Sequence, residues 1–286
     1  MLMRPDQHAI ETLVRMALLE DAPWGDVTSE ALLPSGLQSS AQLVAREEGV
    51  LCGEDVFSSA MSLTGPVTTK FLKRDSGSFF AGDVLAVVSG PARSILRAER
   101  VALNFVQRLS GIATLTAKYV AETAGTEARI VDTRKTTPGL RLVERYAVRC
   151  GGGHNHRFSL SDAVLAKDNH LAALRYSPGE DLTASLRAAF GSLSHTVHKE
   201  VEVDRLNQIE PVLAAGVDTI MLDNFSIDDL RTGVKQIAGR ALVEASGGIS
   251  LERVREIANT GVDLISVGAL THSVRSLDLG LDFLQP

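Results

Sequence analysis

A glycine-rich stretch, GGGHNHR, combines residue types that could bind a metal ion, a phosphate or another anion; it runs from Gly151 to Arg157. The histidines His154 and His156 lie one residue apart and could hold one metal ion. The glycines could bring backbone N–H groups close to a phosphate, and the Arg157 guanidinium could bind a carboxylate through two parallel hydrogen bonds. These chemistries belong to different enzymes, so the rest of the sequence must decide between them.

The stretch lies in a basic segment of an acidic chain. The 286 residues carry a formal net charge of −6, whereas the segment 133–170 contains seven Lys or Arg and three Asp or Glu. The negative overall charge argues against nucleic acid or an anionic membrane as a partner. The local cations instead predict a small ligand with more than one negative group. Within the segment, Arg141, Glu144, Arg145 and Arg149 repeat at helical spacing, which predicts a solvated helix face.

Two patterns of hydrophobicity divide the sequence. After a capped amphipathic first helix, the runs AQLVAREEGVLCG and GSFFAGDVLAVVSGP alternate apolar and polar residues, as antiparallel strands do. A helical pattern follows from Pro91 to Ala124, with a predicted break at Ser110 and Gly111. From about Ala128 the pattern changes to six apolar runs, several of them separated by helical segments: ARIVDTRK, DAVLAKDNH, HKEVEVD, TIMLDN, LVEASGG and LISVGAL. The second pattern predicts a parallel sheet covered by helices.

In a parallel α/β barrel, the residues just beyond the carboxyl ends of the strands converge on one mouth, and an open doubly wound sheet would gather much the same set. The residues in these positions are Arg134 and Lys135, Lys167, Glu202, Asp223, Ser246 with Gly247, and Gly268. The acids could hold Mg²⁺, accept hydrogen bonds from sugar hydroxyls or stabilise positive charge on a sugar ring. The small residues of EASGGIS and SVGAL favour a phosphate site, or form only a tight turn. Six strands leave an eight-fold barrel incomplete.

Three functions remain open at this point. The first is group transfer on a sugar phosphate carrying a carboxylated partner, and the second is a metal-dependent hydrolase built on His154, His156, Lys167 and Asp223. The third is a non-catalytic protein that binds anions. The hydrolase needs its histidine pair at a strand end, whereas the pair here follows a glycine turn behind a helical segment. Arg157 beside it would also repel a divalent cation.

The remaining composition restricts the cellular setting. No apolar run approaches the ~18 residues that a transmembrane helix needs. Cys52 and Cys150 make no disulfide framework and fit a reducing cytoplasm. Cys150 is interpreted as a buried thiol in preference to a nucleophile beside the histidines.

A set of ordered motifs resembles the quinolinate phosphoribosyltransferase family: DTRKTTPGLR, ERYAVRCGGGHNHR, KDNH, EVEV, IMLDN, EASGGI and ISVGALTHS. The resemblance extends from the first helix to the C-terminus. It implies a type II phosphoribosyltransferase fold, with an N-terminal α/β sandwich domain over residues 1–115 and an irregular, incomplete α/β barrel over residues 116–271. Residues 272–286 are expected to pack with the first domain. A sister family linked to molybdenum transport shares this fold, but it tends to lose the HNHR and KDNH signatures that are intact here.

The resemblance also implies the activity. A homodimer in the cytoplasm would transfer phosphoribosyl from phosphoribosyl pyrophosphate to quinolinate with Mg²⁺ and loss of CO₂, giving nicotinate mononucleotide for NAD synthesis. The implied quinolinate-binding residues are Arg100, which would reach the neighbouring subunit, Thr133, Arg134, His156 and Arg157. The implied catalytic residues around the ribose and pyrophosphate are Lys135, Lys167, Glu202 and Asp223, the last two also as Mg²⁺ ligands. The implied phosphate-binding residues are Ser246, Gly247, Gly248, Val267, Gly268, Ala269 and His272. His154 receives no role.

Overall fold

A computed structural model describes residues 3–174 and 181–284, and the chain divides into two compact units. Unit 1 consists of Met1–Ala117, Lys135–Gly152 and Ala269–Pro286, and unit 2 consists of Lys118–Arg134 and Gly153–Gly268. Each unit is therefore built from segments that are separated along the chain.

The strands are β1 (Gln38–Ala45), β2 (Gly49–Val50), β3 (Thr68–Phe71), β4 (Ser78–Phe79), β5 (Val84–Pro91), β6 (Arg129–Val131), β7 (Val164–Ala166), β8 (Lys199–Val203), β9 (Thr219–Asp223), β10 (Leu242–Ser246), β11 (Leu264–Ser266) and β12 (Leu279–Phe283). The α-helices are α1 (Gln7–Asp21), α2 (Val27–Leu32), α3 (Glu54–Leu63), α4 (Ala92–Glu122), α5 (Arg141–Cys150), α6 (Asp168–Leu174), α7 (Leu182–Gly191), α8 (Ile209–Ala214), α9 (Ile227–Ile237), α10 (Leu251–Ala258) and α11 (Ala269–His272). A single 3₁₀ turn at Leu206–Gln208 precedes α8.

Unit 1 contains a four-stranded antiparallel sheet in the order β12-β1-β5-β3. Side chains of β1 alternate as the sequence predicts: Ala41, Leu43 and Ala45 are buried, and the residues between them are half-buried. The C-terminal strand β12 pairs with β1, with Leu279 opposite Ala45. The antiparallel pattern predicted for the N-terminal part of the chain is confirmed.

The predicted helix break at Ser110 and Gly111 is wrong, because α4 runs through both residues without interruption. Ser110 is fully buried and its hydroxyl oxygen accepts a hydrogen bond from the Cys52 backbone N–H at 3.1 Å. A Cβ at Gly111 would overlap the carbonyl oxygen of Arg275, so this glycine permits a close backbone approach. Neither α4 nor any other described helix combines the length and the apolar character that crossing a membrane requires.

Helix α5 does not present the solvated charged face that its sequence predicts. The Glu144 side chain is completely buried, and one carboxylate oxygen accepts a hydrogen bond from Arg108 Nε at 2.8 Å. The other oxygen accepts from the Thr137 backbone N–H at 3.0 Å. A buried carboxylate with an arginine partner ties the start of α5 to α4, which residue spacing within α5 alone could not indicate.

Both cysteines are buried free thiols within unit 1, which confirms the buried thiol predicted for Cys150. Burial raises the pKa of the Cys52 thiol well above its ordinary value, so it stays protonated at neutral pH.

Unit 2 is built on a six-stranded parallel sheet in the order β6-β11-β10-β9-β8-β7. These are the six apolar runs of the sequence, and their assignment as parallel strands is confirmed. Strands β6 and β7 lie at opposite ends of the order, although they follow each other along the chain. At the free side of β6, Val131 forms an isolated parallel bridge with His154. The HNHR motif therefore begins with one strand-like residue beside β6.

Candidate active site

The carboxyl ends of β8 and β9 open into a cavity of about 480 Å³ within unit 2. Its lining residues are mainly polar: Asp168, Asn169, Leu171, Glu202, Asp204, Arg205, Gln208, Asp223 and Asn224. Since β8 and β9 are neighbours in register, the strand-end residues Glu202 and Asp223 reach the same cavity. The structure therefore brings together two of the predicted catalytic acids.

A lysine lies beside these acids. Lys167 directly follows β7, and its Nζ forms an ion pair with Glu202 Oε2. The Lys167 side chain is 46% exposed and that of Glu202 is 11% exposed, so the ammonium group lies at the rim and the carboxylate lies inside. This pair places an ammonium group at the rim, where it could contact an anionic leaving group.

Asp223, the acid at the end of β9, is held by the residue that follows it. The Asn224 side chain donates a hydrogen bond to Asp223 Oδ2 at 2.7 Å, and the Asn224 backbone N–H donates to the Ser246 carbonyl at 2.9 Å. Asn224 adopts a left-handed backbone with φ of 58°, a conformation that asparagine tolerates better than most residues. Strand β9 is thereby linked to the loop that follows β10.

That loop contains two glycines whose backbone conformation is compatible with an anion-binding loop or with a tight turn. Gly247 and Gly248 have φ values of 92° and 56°, in the left-handed region where glycine is favoured. Helix α10 begins at Leu251, immediately beyond the loop, and its N-cap residue Ser250 makes no side-chain capping bond. Successive backbone N–H groups before a helix N-terminus form a site that favours phosphate. Val267 and Gly268, at the end of the neighbouring strand β11, are the next residues predicted to bind phosphate.

The HNHR segment has a defined set of partners in unit 2. The His156 backbone N–H donates to the buried carboxylate of Asp132 at 2.8 Å, and the Arg157 backbone N–H donates to His156 Nδ1 at 2.8 Å. The Arg157 guanidinium donates to the Ala163 carbonyl at 2.8 Å. Burial, followed by the nearby positive charge of Arg134, lowers the pKa of Arg157. The positive charge of Arg134 thus disfavours the charged form of Arg157, and an anionic ligand bound between the two side chains would offset this repulsion.

The sequence did not single out two buried acids beneath this segment. Glu200 and Glu244 are 3% and 1% exposed, and with His156 they line a second cavity of about 430 Å³. This second cavity also contacts the first residues of β6, β9 and β11, Arg129, Thr219 and Leu264. A signal for both acids was present: each glutamate interrupts an apolar strand run at a position that shares a face with a predicted site residue, Glu202 or Ser246.

The hydrolase hypothesis receives no support from this geometry. Among the described residues, His154 and His156 are not part of one group of potential metal ligands with Asp223. His156 instead directs Nε2 at Glu200 Oε2, at 3.0 Å. His154 takes part in the parallel bridge to Val131 and lines the second cavity.

Four further predicted site residues belong to unit 1. Arg100 is exposed on α4, and the Lys135 carbonyl accepts a hydrogen bond from the Thr271 hydroxyl at 2.7 Å. Ala269 begins α11, and His272 ends it with Nδ1 at 2.6 Å from the Ser273 hydroxyl. Their participation in the strand-end site stays a prediction.

The comparisons with known proteins agree on one family. Sequence models of the quinolinate phosphoribosyl transferase N-terminal and C-terminal domains match residues 26–110 and 112–282. The chain is 44% identical over 281 residues to the nicotinate-nucleotide pyrophosphorylase [carboxylating] of Mycobacterium leprae, covering 96% of this chain and 97% of that protein. It is 43% identical over 275 residues to a probable nicotinate-nucleotide pyrophosphorylase [carboxylating] of Bacillus subtilis, covering 96% and 93%.

A solved structure leads to the same result. The nicotinate-nucleotide pyrophosphorylase from Francisella tularensis superimposes with a TM-score of 0.91 at 37% identity, covering 99% of both chains. The predicted fold class, an N-terminal α/β domain with an irregular α/β barrel, is confirmed.

The fold and the strand-end site define a transferase of the α/β-barrel class that acts on anionic, phosphorylated substrates. The chain belongs to the quinolinate phosphoribosyltransferase family. Its reaction transfers phosphoribosyl to quinolinate with decarboxylation, a step of NAD biosynthesis.

Proposed function

We propose that the HNHR segment binds quinolinate in this reaction. Arg157 and Arg134 would bind its two carboxylates, with His156 and Thr133 completing the polar contacts. The observation that carries the assignment is the placement of the Arg157 guanidinium, which is half-buried, is fixed by the Ala163 carbonyl at 2.8 Å, and lies close enough to Arg134 for burial and then the charge of Arg134 to lower the pKa of Arg157. A dianionic ring placed between them would form charge-assisted, bidentate hydrogen bonds.

The strand-end cavity would receive the phosphoribosyl part of the second substrate. Glu202 and Asp223 would face the ribose, and Lys167, together with Lys135, would contact the pyrophosphate. The loops at 246–248 and 267–269, with His272, would bind the 5′-phosphate. Support comes from the left-handed glycines of the first loop and from the acids that line the cavity.

Bond changes follow from this placement. The quinolinate ring nitrogen forms a bond to C1 of the ribose while the bond from C1 to pyrophosphate breaks. The Glu202 and Asp223 carboxylates stabilise the positive charge that develops on the sugar, and Lys167 stabilises the departing negative charge. The ring is then an N-alkylated pyridinium, so the carbon next to nitrogen can release its carboxylate as CO₂ and keep the electron pair. A proton at that carbon completes nicotinate mononucleotide, and no covalent enzyme intermediate is needed.

Mg²⁺ fits the donor set of the strand-end cavity, which offers carboxylate oxygens from Glu202, Asp204 and Asp223. Glu202 and Asp223 would hold the ion together with oxygens of the pyrophosphate. Bound there, it would supply charge neutralisation on the leaving group.

The direct test is incubation with quinolinate, phosphoribosyl pyrophosphate and Mg²⁺, followed by detection of nicotinate mononucleotide by mass spectrometry. We expect product with the complete mixture and its loss when Mg²⁺ is chelated. Folded protein that gives no product would overturn the assignment of the HNHR segment and the strand-end cavity to the two substrates. Product formed equally well from nicotinate would contradict the role given to the paired arginines.

Alanine at Gly247 tests the phosphate loop. The added Cβ would lie 2.8 Å from the Asn224 backbone nitrogen on a residue with φ of 92°, so the loop must move. We expect the KM for phosphoribosyl pyrophosphate to rise at least ~10-fold, measured by initial rates. Gly239→Ala is the matched control, because its φ of 73° is also left-handed but its Cβ would meet no atom within 4 Å apart from its own chain neighbours. Equal KM values for the two variants would refute the loop assignment.

Arg100 is proposed to complete the site of a second subunit in a homodimer. Arg100 is exposed on α4, which leaves its guanidinium accessible to another chain. The test mixes Arg100→Ala subunits with Asp223→Asn subunits. Each variant alone lacks one part of every site, whereas a mixed dimer contains one intact site of two. Activity that appears only after mixing supports the shared site, and verified mixed dimers without activity would disprove it.

A cytoplasmic location is proposed from the two buried free thiols, which a reducing compartment preserves. Detection of the protein in the cytosolic fraction of lysed cells would support it, and recovery with the periplasm would contradict it.

A further inference from the structure

A buried group of acids surrounds His156 inside unit 2. Asp132, Glu200 and Glu244 are 0%, 3% and 1% exposed, and they come from the end of β6 and from β8 and β10. His156 Nε2 lies 3.0 Å from Glu200 Oε2 and 3.6 Å from Glu244 Oε2. Burying this many acids costs stability unless the charges are neutralised or paired, so their positions call for a physical explanation.

The hydrogen bonds of the imidazole ring determine where its proton lies. The Arg157 backbone N–H donates to His156 Nδ1 at 2.8 Å, so Nδ1 must carry a lone pair. A singly protonated ring then has its hydrogen on Nε2, which donates to Glu200. Nε2 is thus a donor and Nδ1 an acceptor. Glu200 selects the tautomer whose Nδ1 can accept the hydrogen bond from the Arg157 backbone N–H.

Glu244 is a neutral neighbour of this pair at pH 7. Burial, and then the charge of Glu200, raise the pKa of Glu244 to about 8, which keeps its carboxyl group protonated. The pKa of His156 is lowered by burial and raised by the Glu200 hydrogen bond and the surrounding acids, with a net increase. A second ring proton would have to enter at Nδ1 and displace the Arg157 N–H, so the observed geometry is that of the neutral ring.

The same geometry argues against a metal ion among these side chains. His156, Glu200 and Glu244 could supply ligand atoms within 4.8 Å of one another. A metal on Nε2 would move the ring hydrogen to Nδ1, where it would face the Arg157 N–H instead of accepting it. The group therefore fits a proton on Nε2 and not a cation.

We infer that Glu200 is a positioning residue for quinolinate: by holding His156 in the Nε2–H form, it fixes the backbone of Arg157 and thereby the direction of its guanidinium. The inference rests on the proposed role of Arg157 in binding quinolinate. Glu200 lines the second cavity, and it does not line the strand-end cavity that contains Glu202 and Asp223. A change at Glu200 should accordingly affect quinolinate and leave phosphoribosyl pyrophosphate binding intact.

The first measurement is ¹⁵N NMR of the His156 ring in the substrate-free protein at neutral pH. We expect Nε2 in the protonated range and Nδ1 in the unprotonated range. A ring protonated at Nδ1 would overturn the inference. This readout needs no substrate, so it remains decisive if the proposed quinolinate site itself proves wrong.

The second measurement compares Glu200→Gln with Glu200→Leu. The amide oxygen of glutamine can still accept from Nε2–H, so this variant should keep the wild-type tautomer and a quinolinate KM within about threefold. Leucine offers no acceptor, so it should give a mixed tautomer and a quinolinate KM raised at least ~10-fold, with the KM for phosphoribosyl pyrophosphate unchanged. Glu256→Leu, at an exposed position of α10, is the control for the substitution type. Equal quinolinate KM values for both Glu200 variants, or an equal rise in both substrates' KM values, would refute the role.

Discussion

Arg157→Ala should lower kcat/KM for quinolinate roughly 30- to 150-fold, which corresponds to a loss of about 2–3 kcal/mol of transition-state stabilisation. The guanidinium is held by the Ala163 carbonyl and lies beside Arg134, and its removal would delete the charge-assisted, bidentate contact proposed for a carboxylate of quinolinate. Because the same positive charge also favours the electron pair left after loss of CO₂, kcat should fall together with the affinity for quinolinate. Initial rates at saturating phosphoribosyl pyrophosphate separate the two effects.

Two comparison variants sharpen the result for Arg157. Arg157→Lys keeps the charge but loses the planar fork, so it should recover only part of the activity. Arg231→Ala removes an arginine that pairs with the exposed Asp228 on α9, and it should leave both kinetic constants unchanged. A near-normal kcat/KM for Arg157→Ala would show that another group binds the carboxylates.

The strand framework of unit 2 could be predicted because each element has a local cause. Six apolar runs separated by turn residues form the six parallel strands, and the residues that follow them lie at their carboxyl ends. A hydrophobic run of this kind predicts a strand without information about the neighbouring strands, because a parallel strand is buried on both faces. The sequence leaves two interpretations for Gly247 and Gly248, a tight turn or a phosphate-binding loop. Their left-handed φ values are compatible with both interpretations.

Other features of the fold depend on contacts with residues that are distant in sequence. These features could not be predicted from the sequence. Glu144 has the spacing of a surface charge, yet it is buried because Arg108 and Thr137 supply its hydrogen bonds. Gly111 resembles a helix break, yet α4 continues because the glycine allows Arg275 to approach. In both cases a contact made by another segment outweighs the local preference.

The buried acids beneath HNHR illustrate a different limit. Their positions within strand runs were readable, because Glu200 shares a strand face with Glu202. Their function could not be predicted from the sequence, because it depends on which ring nitrogen of His156 each group contacts. A family resemblance assigns His156 to the ligand, and only the hydrogen-bond geometry shows what holds it in place.

Asp223→Asn should have the largest effect on kcat, a loss on the order of 10²- to 10³-fold. The substitution preserves the size of the side chain and its place at the end of β9 in the strand-end cavity, and it removes only the negative charge. If the carboxylate stabilises positive charge that exists only as the bond to pyrophosphate breaks, kcat and kcat/KM should fall by similar factors. The KM for quinolinate should stay near its wild-type value, because the HNHR segment is unaltered.

The control for this charge removal is Asp228→Asn, since the Asp228 side chain is 92% exposed on α9. Glu202→Gln adds a second comparison, because it removes the charge that pairs with Lys167 and should also weaken the positioning of the ammonium group. Both site variants should retain the wild-type melting temperature, since each replaces a half-buried group by one of equal size. If Asp223→Asn raised only the KM for phosphoribosyl pyrophosphate and left kcat unchanged, Asp223 would bind the ground state and would not stabilise the charge that forms on the ribose.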